Sequence, residues 1–180
     1  MKVIFLDVDG VLNTDECKGA PGKGEEGREG FVYDKSSTVP LLRRCLDNLE
    51  TILEETGARI VVTSTWRLVP DLLAFLTRAL STLGPRRIIG ITSDRSESYD
   101  RTGRGDEVRQ WLKENKVCAK FVILDDEHTE SFEGSLFSER APPHGSQGLL
   151  VTTRMKGREF SELGLTRKHV SRVIEFLNLC

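Results

Sequence analysis

The chain has 180 residues, the size of one ordinary domain. Its 26 Lys and Arg against 28 Asp and Glu leave a formal charge of −2, which excludes a globally basic nucleic-acid binder and leaves room only for a local basic groove. Hydrophobic residues at 38% and charged residues at 30% exclude a disordered chain, and 16 Gly with 6 Pro exclude a collagen-like one.

Val3–Leu6 is a short, apolar, partly β-branched run and reads as a buried parallel strand. Asp7 and Asp9 interrupt it before it reaches the about 7–15 apolar residues of a signal-peptide core. No stretch approaches the roughly 18 apolar residues of a membrane span. The expectation is an intracellular, cytoplasmic protein with no membrane partner. Asn13–Ser37, with Gly19, Gly22, Gly24, Gly27 and Gly30 among charges, reads as a flexible loop long enough to act as a lid. From Pro40 to Glu55 the spacing turns helical, with Leu42, Cys45, Leu46, Leu49, Ile52 and Leu53 on one face and Gly57 as the stop.

Arg59–Thr63 predicts a second strand. Pro70 opens the next helix, where its missing N–H costs little, and Gly84-Pro85 end it. Arg87–Thr92 predicts a third strand and Gly105–Asn115 a helix with Val108, Trp111 and Leu112 facing inward. Phe121–Leu124 is the fourth strand, Gly148–Thr152 the fifth, and Thr166 caps a last helix bearing Val170, Val173, Ile174 and Leu177. His128–Gln147, with Pro142-Pro143, shows no period. Strands alternating with helices predict a three-layer α/β/α, Rossmann-like parallel sheet. The chain reads as a single domain, residues 1–180, with a glycine-rich insertion at about 13–38 and no large cap domain.

Ligands of open parallel sheets bind beyond the carboxyl ends of the strands. Asp7, Asp9 and Gly10 follow the first strand, Ser64, Thr65, Trp66 and Arg67 the second, and Asp125 and Asp126 the fourth. Carboxylates at neighbouring strand ends repel one another unless a cation lies between them, and an all-oxygen set of this kind suits Mg²⁺. Other signals are weaker. Gly22–Gly27 spells G-x-G-x-x-G but follows no strand and carries two acids where a phosphate would sit. His128, His144 and His169 lack ligand spacing, although His128 is near enough to Asp126 to line a pocket. Cys17, Cys45, Cys118 and Cys180 are too scattered for a zinc site and read as free thiols.

Phe5-Leu6-Asp7-Val8-Asp9-Gly10-Val11-Leu12-Asn13 resembles the first motif of the haloacid dehalogenase (HAD) superfamily, D-x-D-x-[TV]. Ile60–Ser64 resembles its second motif, an apolar strand ending in a hydroxyl residue, and Ile123-Leu124-Asp125-Asp126 its fourth. Val-Val-Thr-Ser-Thr-Trp-Arg, followed by Arg-Gly-Asp-Glu-Val and Ile-Leu-Asp-Asp, is most similar to a small-capped branch associated with RNA-repair proteins.

The resemblance implies a Mg²⁺-dependent phosphatase working through an aspartyl-phosphate. Asp7 is then the nucleophile and Asp9 the general acid and base. A metal beside Asp7 keeps it ionised, while Asp9 is free to hold a proton. The family's metal ligands carry over to Asp7, Asp9 (through its carbonyl) and Asp125, with Asp126 as a further carboxylate. Ser64 supplies the hydroxyl of the second motif, and Thr63 is its rival by a one-residue shift. For the third motif, a cation that is often Lys, the chain departs from the common pattern. Arg104 has the right placement and can clamp phosphate through two N–H groups, with Arg101 and Lys113 as alternatives. Arg67 is placed to bind substrate phosphate, and Trp66 either joins the core or stacks on a base.

Two other classes compete with the enzyme. A receiver module phosphorylated on Asp would use similar groups, but its acceptor follows a later strand than its acidic pair. A non-catalytic binding protein would be expected to lack Asp7 or Asp9. The substrate class is a phosphorylated small molecule or macromolecule: a nucleotide, a nucleic-acid end or a phosphoprotein.

Overall fold

A computed structural model describes residues 1–17, 29–33, 39–82, 84, 87–94, 103–116, 120–126, 132, 145–153 and 163–179. The sheet strands are β1 (Lys2–Leu6), β4 (Arg59–Val62), β5 (Ile88–Ile91), β6 (Lys120–Asp125) and β7 (Gln147–Thr152). They pair in the order β5-β4-β1-β6-β7, and every pair is parallel. A separate antiparallel ribbon joins β2 (Phe31–Val32) to β3 (Leu41–Leu42). The helices are α1 (Arg43–Thr56), α2 (Pro70–Ser81), α3 (Arg104–Glu114) and α4 (Arg167–Asn178). None of these helices is long and apolar enough to cross a membrane.

Period-two alternation along the strands builds the layers. Ile4 and Leu6 of β1, Ile60 and Val62 of β4, and Val122 and Leu124 of β6 face one core, shared with α1, α2 and α4. Val3, Phe5, Val61, Phe121 and Ile123 face a second core, closed by Val108, Trp111 and Leu112 of α3. Phe5 sits between the Trp111 and Phe121 rings, edge-on to both, with centroids 5.5 and 5.6 Å away. The three central strands are therefore apolar on both faces, as strands covered by helices on two sides must be. Gly57 takes the left-handed conformation and donates its N–H to Leu53 O at 3.1 Å, which ends α1 where the sequence places the stop.

The architecture is the three-layer α/β fold read from the sequence. The differences lie at the margins. Leu41-Leu42, placed by periodicity within the first helix, is instead the β3 strand. Phe31–Val32, within the stretch read as loop, is its partner. A second departure is the Asp15–Cys17 segment, which forms a 3-10 turn. Cys17 and Cys45 are buried free thiols, and burial pushes the Cys45 thiol up to about 11. Arg101, His128, His144, Cys118, Cys180 and the Gly22–Gly27 motif lie outside the described residues.

The chain runs from β1 outward to β4 and β5, then returns across β1 to β6 and β7. This reversal puts a crevice at the carboxyl end of β1, between β4 and β6. Leu6 pairs with Val62 on one side and Leu124 on the other, so the residues just past the three strands are brought level.

Candidate active site

The ladders continue one step beyond the strands. Asp7 N–H donates to Leu124 O at 2.9 Å and Thr63 N–H to Leu6 O at 2.9 Å. Asp7 is thereby fixed in the crevice and is 2% exposed, and Asp125 beside it is fully buried. Thr153, past the end of β7, closes this corner. Its N–H donates to Asp125 O at 3.0 Å and its hydroxyl to Gly10 O at 2.8 Å.

One oxygen from each of Asp7, Asp125 and Asp126 lies within 4.8 Å of the others. The Arg104 guanidinium answers part of this charge. Its Nη1 lies 2.9 Å from Asp7 Oδ2 and 2.8 Å from Asp125 Oδ2. Arg104 opens α3 and stands 21 residues before Asp125 in the chain. Three carboxylates thus crowd one corner of the crevice, and Arg104 bridges two of them. Burial pushes the Asp7 carboxyl above its ordinary value, against the pull of the Arg104 charge and of hydrogen bonds from Val8 N–H, Arg104 and Ser64.

The metal that the sequence implies can be tested on these atoms. Asp7 Oδ1 is buried and has no hydrogen-bond partner among the described residues, an expensive arrangement unless something else ligates it. An all-oxygen set of three closely spaced carboxylates fits Mg²⁺. The backbone makes room for it: Gly10 has a φ of 72°, and a Cβ there would lie 2.3 Å from Asp126 Cγ. Only glycine lets the loop pass so close to that carboxylate.

Asp9 sits at the rim and is exposed, on a helical turn in which Leu12 N–H and Asn13 N–H donate to Val8 O. Asn13 Nδ2 donates to Asp9 Oδ1 at 2.9 Å, and Asn13 Oδ1 accepts from Gly10 N–H at 3.2 Å. The indole N–H of Trp66 reaches both Asp9 oxygens, at 3.2 and 3.1 Å.

The hydroxyl candidates separate. Ser64 caps the 3-10 turn Thr65–Leu68 by accepting from Trp66 N–H at 3.3 Å, and its hydroxyl is near enough to Asp7 to help pull that carboxyl down. Thr63 is fully buried, and its hydroxyl has no partner among the described residues. Lys113 is exposed in the last turn of α3, about 13 Å along the helix from Arg104 at 1.5 Å per residue, and does not join the cluster.

Arg67 requires a correction. The sequence placed it at the substrate phosphate, but its guanidinium is turned inward. Nε donates to Thr92 O at 3.0 Å, Nη1 to Thr63 O and Ser64 O, and Nη2 to Glu107 Oε2 at 2.8 Å and Ser93 O at 3.4 Å. Thr92 Oγ1 also donates to Glu107 Oε2, at 3.1 Å. Arg67 ties the ends of β4 and β5 to the first turn of α3 and leaves no donor for a ligand. Trp66 is 4% exposed and packs on Phe75, with ring centroids 6.1 Å apart, which removes it from base stacking. Asn13, Thr92, Glu107 and Thr153 were not singled out by the sequence, because their partners are brought to them only by the fold.

Residues 3–170 match the model of the HAD domain in Swiss Army Knife RNA repair proteins. The chain belongs to this HAD family. The match spans all three acidic positions and the turn bearing Trp66 and Arg67. Membership points to phosphohydrolase activity in general terms. No curated protein and no solved structure matches the chain.

Proposed function

We propose that this HAD domain is a Mg²⁺-dependent phosphohydrolase that cleaves phosphate monoesters through a phosphoryl group carried on Asp7. The observation that carries the reading is the buried Asp7 carboxylate, with Oδ1 unpartnered among the described residues and Oδ2 held by Arg104.

Asp7, Asp125 and Asp126, with the Asp9 carbonyl, would hold the ion. Bound there, Mg²⁺ neutralises charge on the phosphoryl oxygens and keeps Asp7 ionised. Asp7 attacks phosphorus as the ester P–O bond breaks. Asp9 gives its proton to the departing oxygen, then takes one from the water that hydrolyses the acyl phosphate. That second step returns Asp7 to a carboxylate and releases inorganic phosphate. Arg104 orients Asp7 and sets its positive charge against the phosphoryl group, and the Ser64 hydroxyl donates to the phosphoryl oxygens. The exposed position of Asp9 is what a group in contact with leaving groups and water requires.

The family's description favours the phosphorylated end of RNA as the substrate class, with nucleotides and phosphoproteins as the rivals. The test is hydrolysis of p-nitrophenyl phosphate with and without Mg²⁺, by wild type and by Asp7→Asn, followed by the three substrate classes. The reading expects metal-dependent turnover that Asp7→Asn lowers by at least about 10⁴-fold, as losing a nucleophile does. Full activity of Asp7→Asn would overturn it, and a long-lived phosphoprotein without turnover would favour a receiver.

A further inference from the structure

We infer that Trp66 is a positioning residue for proton transfer, its buried indole N–H holding the Asp9 carboxylate at the angle from which it serves the leaving oxygen. The inference rests on the proposed role of Asp9 as general acid and base. Asp9 is itself exposed on an otherwise largely buried turn, and an exposed aspartate side chain ordinarily samples several rotamers. Here two donors hold it. Trp66 Nε1 stands almost evenly between the two oxygens, at 3.2 and 3.1 Å, and Asn13 Nδ2 adds a bond to Oδ1 at 2.9 Å. The indole is itself rigidly mounted. Its ring packs on Phe75, its backbone N–H donates to Ser64 Oγ, and the neighbouring Arg67 pins the turn to three strand-end carbonyls. One short turn therefore sets both Ser64, beside Asp7, and Trp66, beneath Asp9. Because Trp66 is buried, it acts through Asp9 and does not touch substrate.

Proton transfer requires heavy atoms within about 2.6–3.2 Å, and a misplacement of about 1 Å costs on the order of 10²-fold. Trp66→Phe keeps the ring and removes the donor. The leaving group gives a readout that packing does not move. An alkoxide, as from a phosphorylated oligonucleotide end, needs a proton to depart, whereas p-nitrophenolate needs little help. Trp66→Phe should therefore lower kcat/KM about 10- to 100-fold on the alkyl monoester and clearly less on p-nitrophenyl phosphate. A packing defect would lower both alike. Trp111→Phe, at a buried ring in the other core, should change neither.

The contact can also be read without turnover. The chain has two tryptophans, so its indole N–H spectrum holds two resonances, and Trp66→Phe identifies one. Asp9→Ala, at an exposed position, should shift the Trp66 resonance and leave that of Trp111 in place. An unmoved Trp66 resonance, or equal losses on the two substrates, overturns the inference. A shifting resonance in a wild-type chain that hydrolyses no phosphate monoester overturns the acid–base reading of Asp9 instead, and reduces the contact to a structural one.

Discussion

Arg104 and Arg67 are both arginines near the start of a helix that follows a strand, and the fold gives them opposite tasks. Arg104 faces the crevice and bridges Asp7 and Asp125, whereas Arg67 is enclosed by carbonyls and Glu107. Composition and spacing do not separate them. The difference comes from Thr92, Ser93 and Glu107, which reach Arg67 from 25, 26 and 40 residues away. Arg104→Ala should lower kcat/KM roughly 10²–10³-fold, the usual cost of one preorganised donor to a phosphoryl or oxyanion group. Arg104→Lys should restore only part of the loss, because a point charge replaces a fork. Steady-state kinetics on one monoester checks both, and wild-type rates for Arg104→Ala would remove it from the site. Gly10 makes a second residue-scale case. Gly10→Ala combines a disfavoured φ with a Cβ inside the Asp126 carboxylate, so the Mg²⁺ concentration for half-maximal activity should rise. An unchanged metal titration would show that Asp126 is not part of the metal site.

At the scale of elements, the N-terminal turn of α3 is held against the sheet by the Arg67–Glu107 ion pair, whose side chains are 4% and 8% exposed. Arg104 lies one turn before Glu107 on the same helix. Removing one partner of a buried pair costs about 3–5 kcal/mol. Glu107→Ala should thus lower the Tm, and the folded fraction should also lose activity as Arg104 drifts. Retained kcat per folded molecule would limit the pair to stability. The start of α4 carries a pH-dependent bond. Thr166 N–H donates to His169 Nδ1 at 3.1 Å, which requires an unprotonated nitrogen. Burial holds the His169 ring below its ordinary value, helped by the charges of Arg172 and Lys168. The neutral ring is thus favoured in the fold. Its contribution is complete above the unfolded value of about 6.5 and is lost as the pH falls through the lower folded value. His169→Gln keeps an acceptor that does not titrate. Its Tm should fall less than that of wild type between pH 7 and pH 5, and parallel curves would exclude this cap as the cause.

Elements were more legible than their contacts. Runs such as Phe121–Leu124 announce buried parallel strands because both faces are apolar, and Gly57 announces a helix end because it alone tolerates the left-handed turn. The β2–β3 ribbon was not legible, since strands of two residues are shorter than any alternation that could reveal them. The sequence allows Trp66 to be a core residue or a stacking platform. Its bond to Asp9 depends on an indole turned back across 57 residues of sequence, and no local pattern carries that.

For the molecule as a whole, topology sets the chemistry. The reversal of strand order at β1 gathers the ends of three strands, and the carboxylates there lie close enough to repel one another, a repulsion that a cation relieves. Arg104 is one such cation, and under the proposed function a divalent ion is the other. The carboxyl groups at Asp7, Asp125 and Asp126 were readable because each follows an apolar run. Their convergence follows from the register, in which Leu6 pairs with Val62 and Leu124. The most direct measurement is to quench the wild-type domain in acid during turnover of a ³²P-labelled monoester with Mg²⁺ and to map the labelled peptide. The account predicts acid-stable, base-labile label on the peptide bearing Asp7, absent from Asp7→Asn and from samples without Mg²⁺. Label on another residue, or rapid hydrolysis with no covalent label under any quench time, would contradict it.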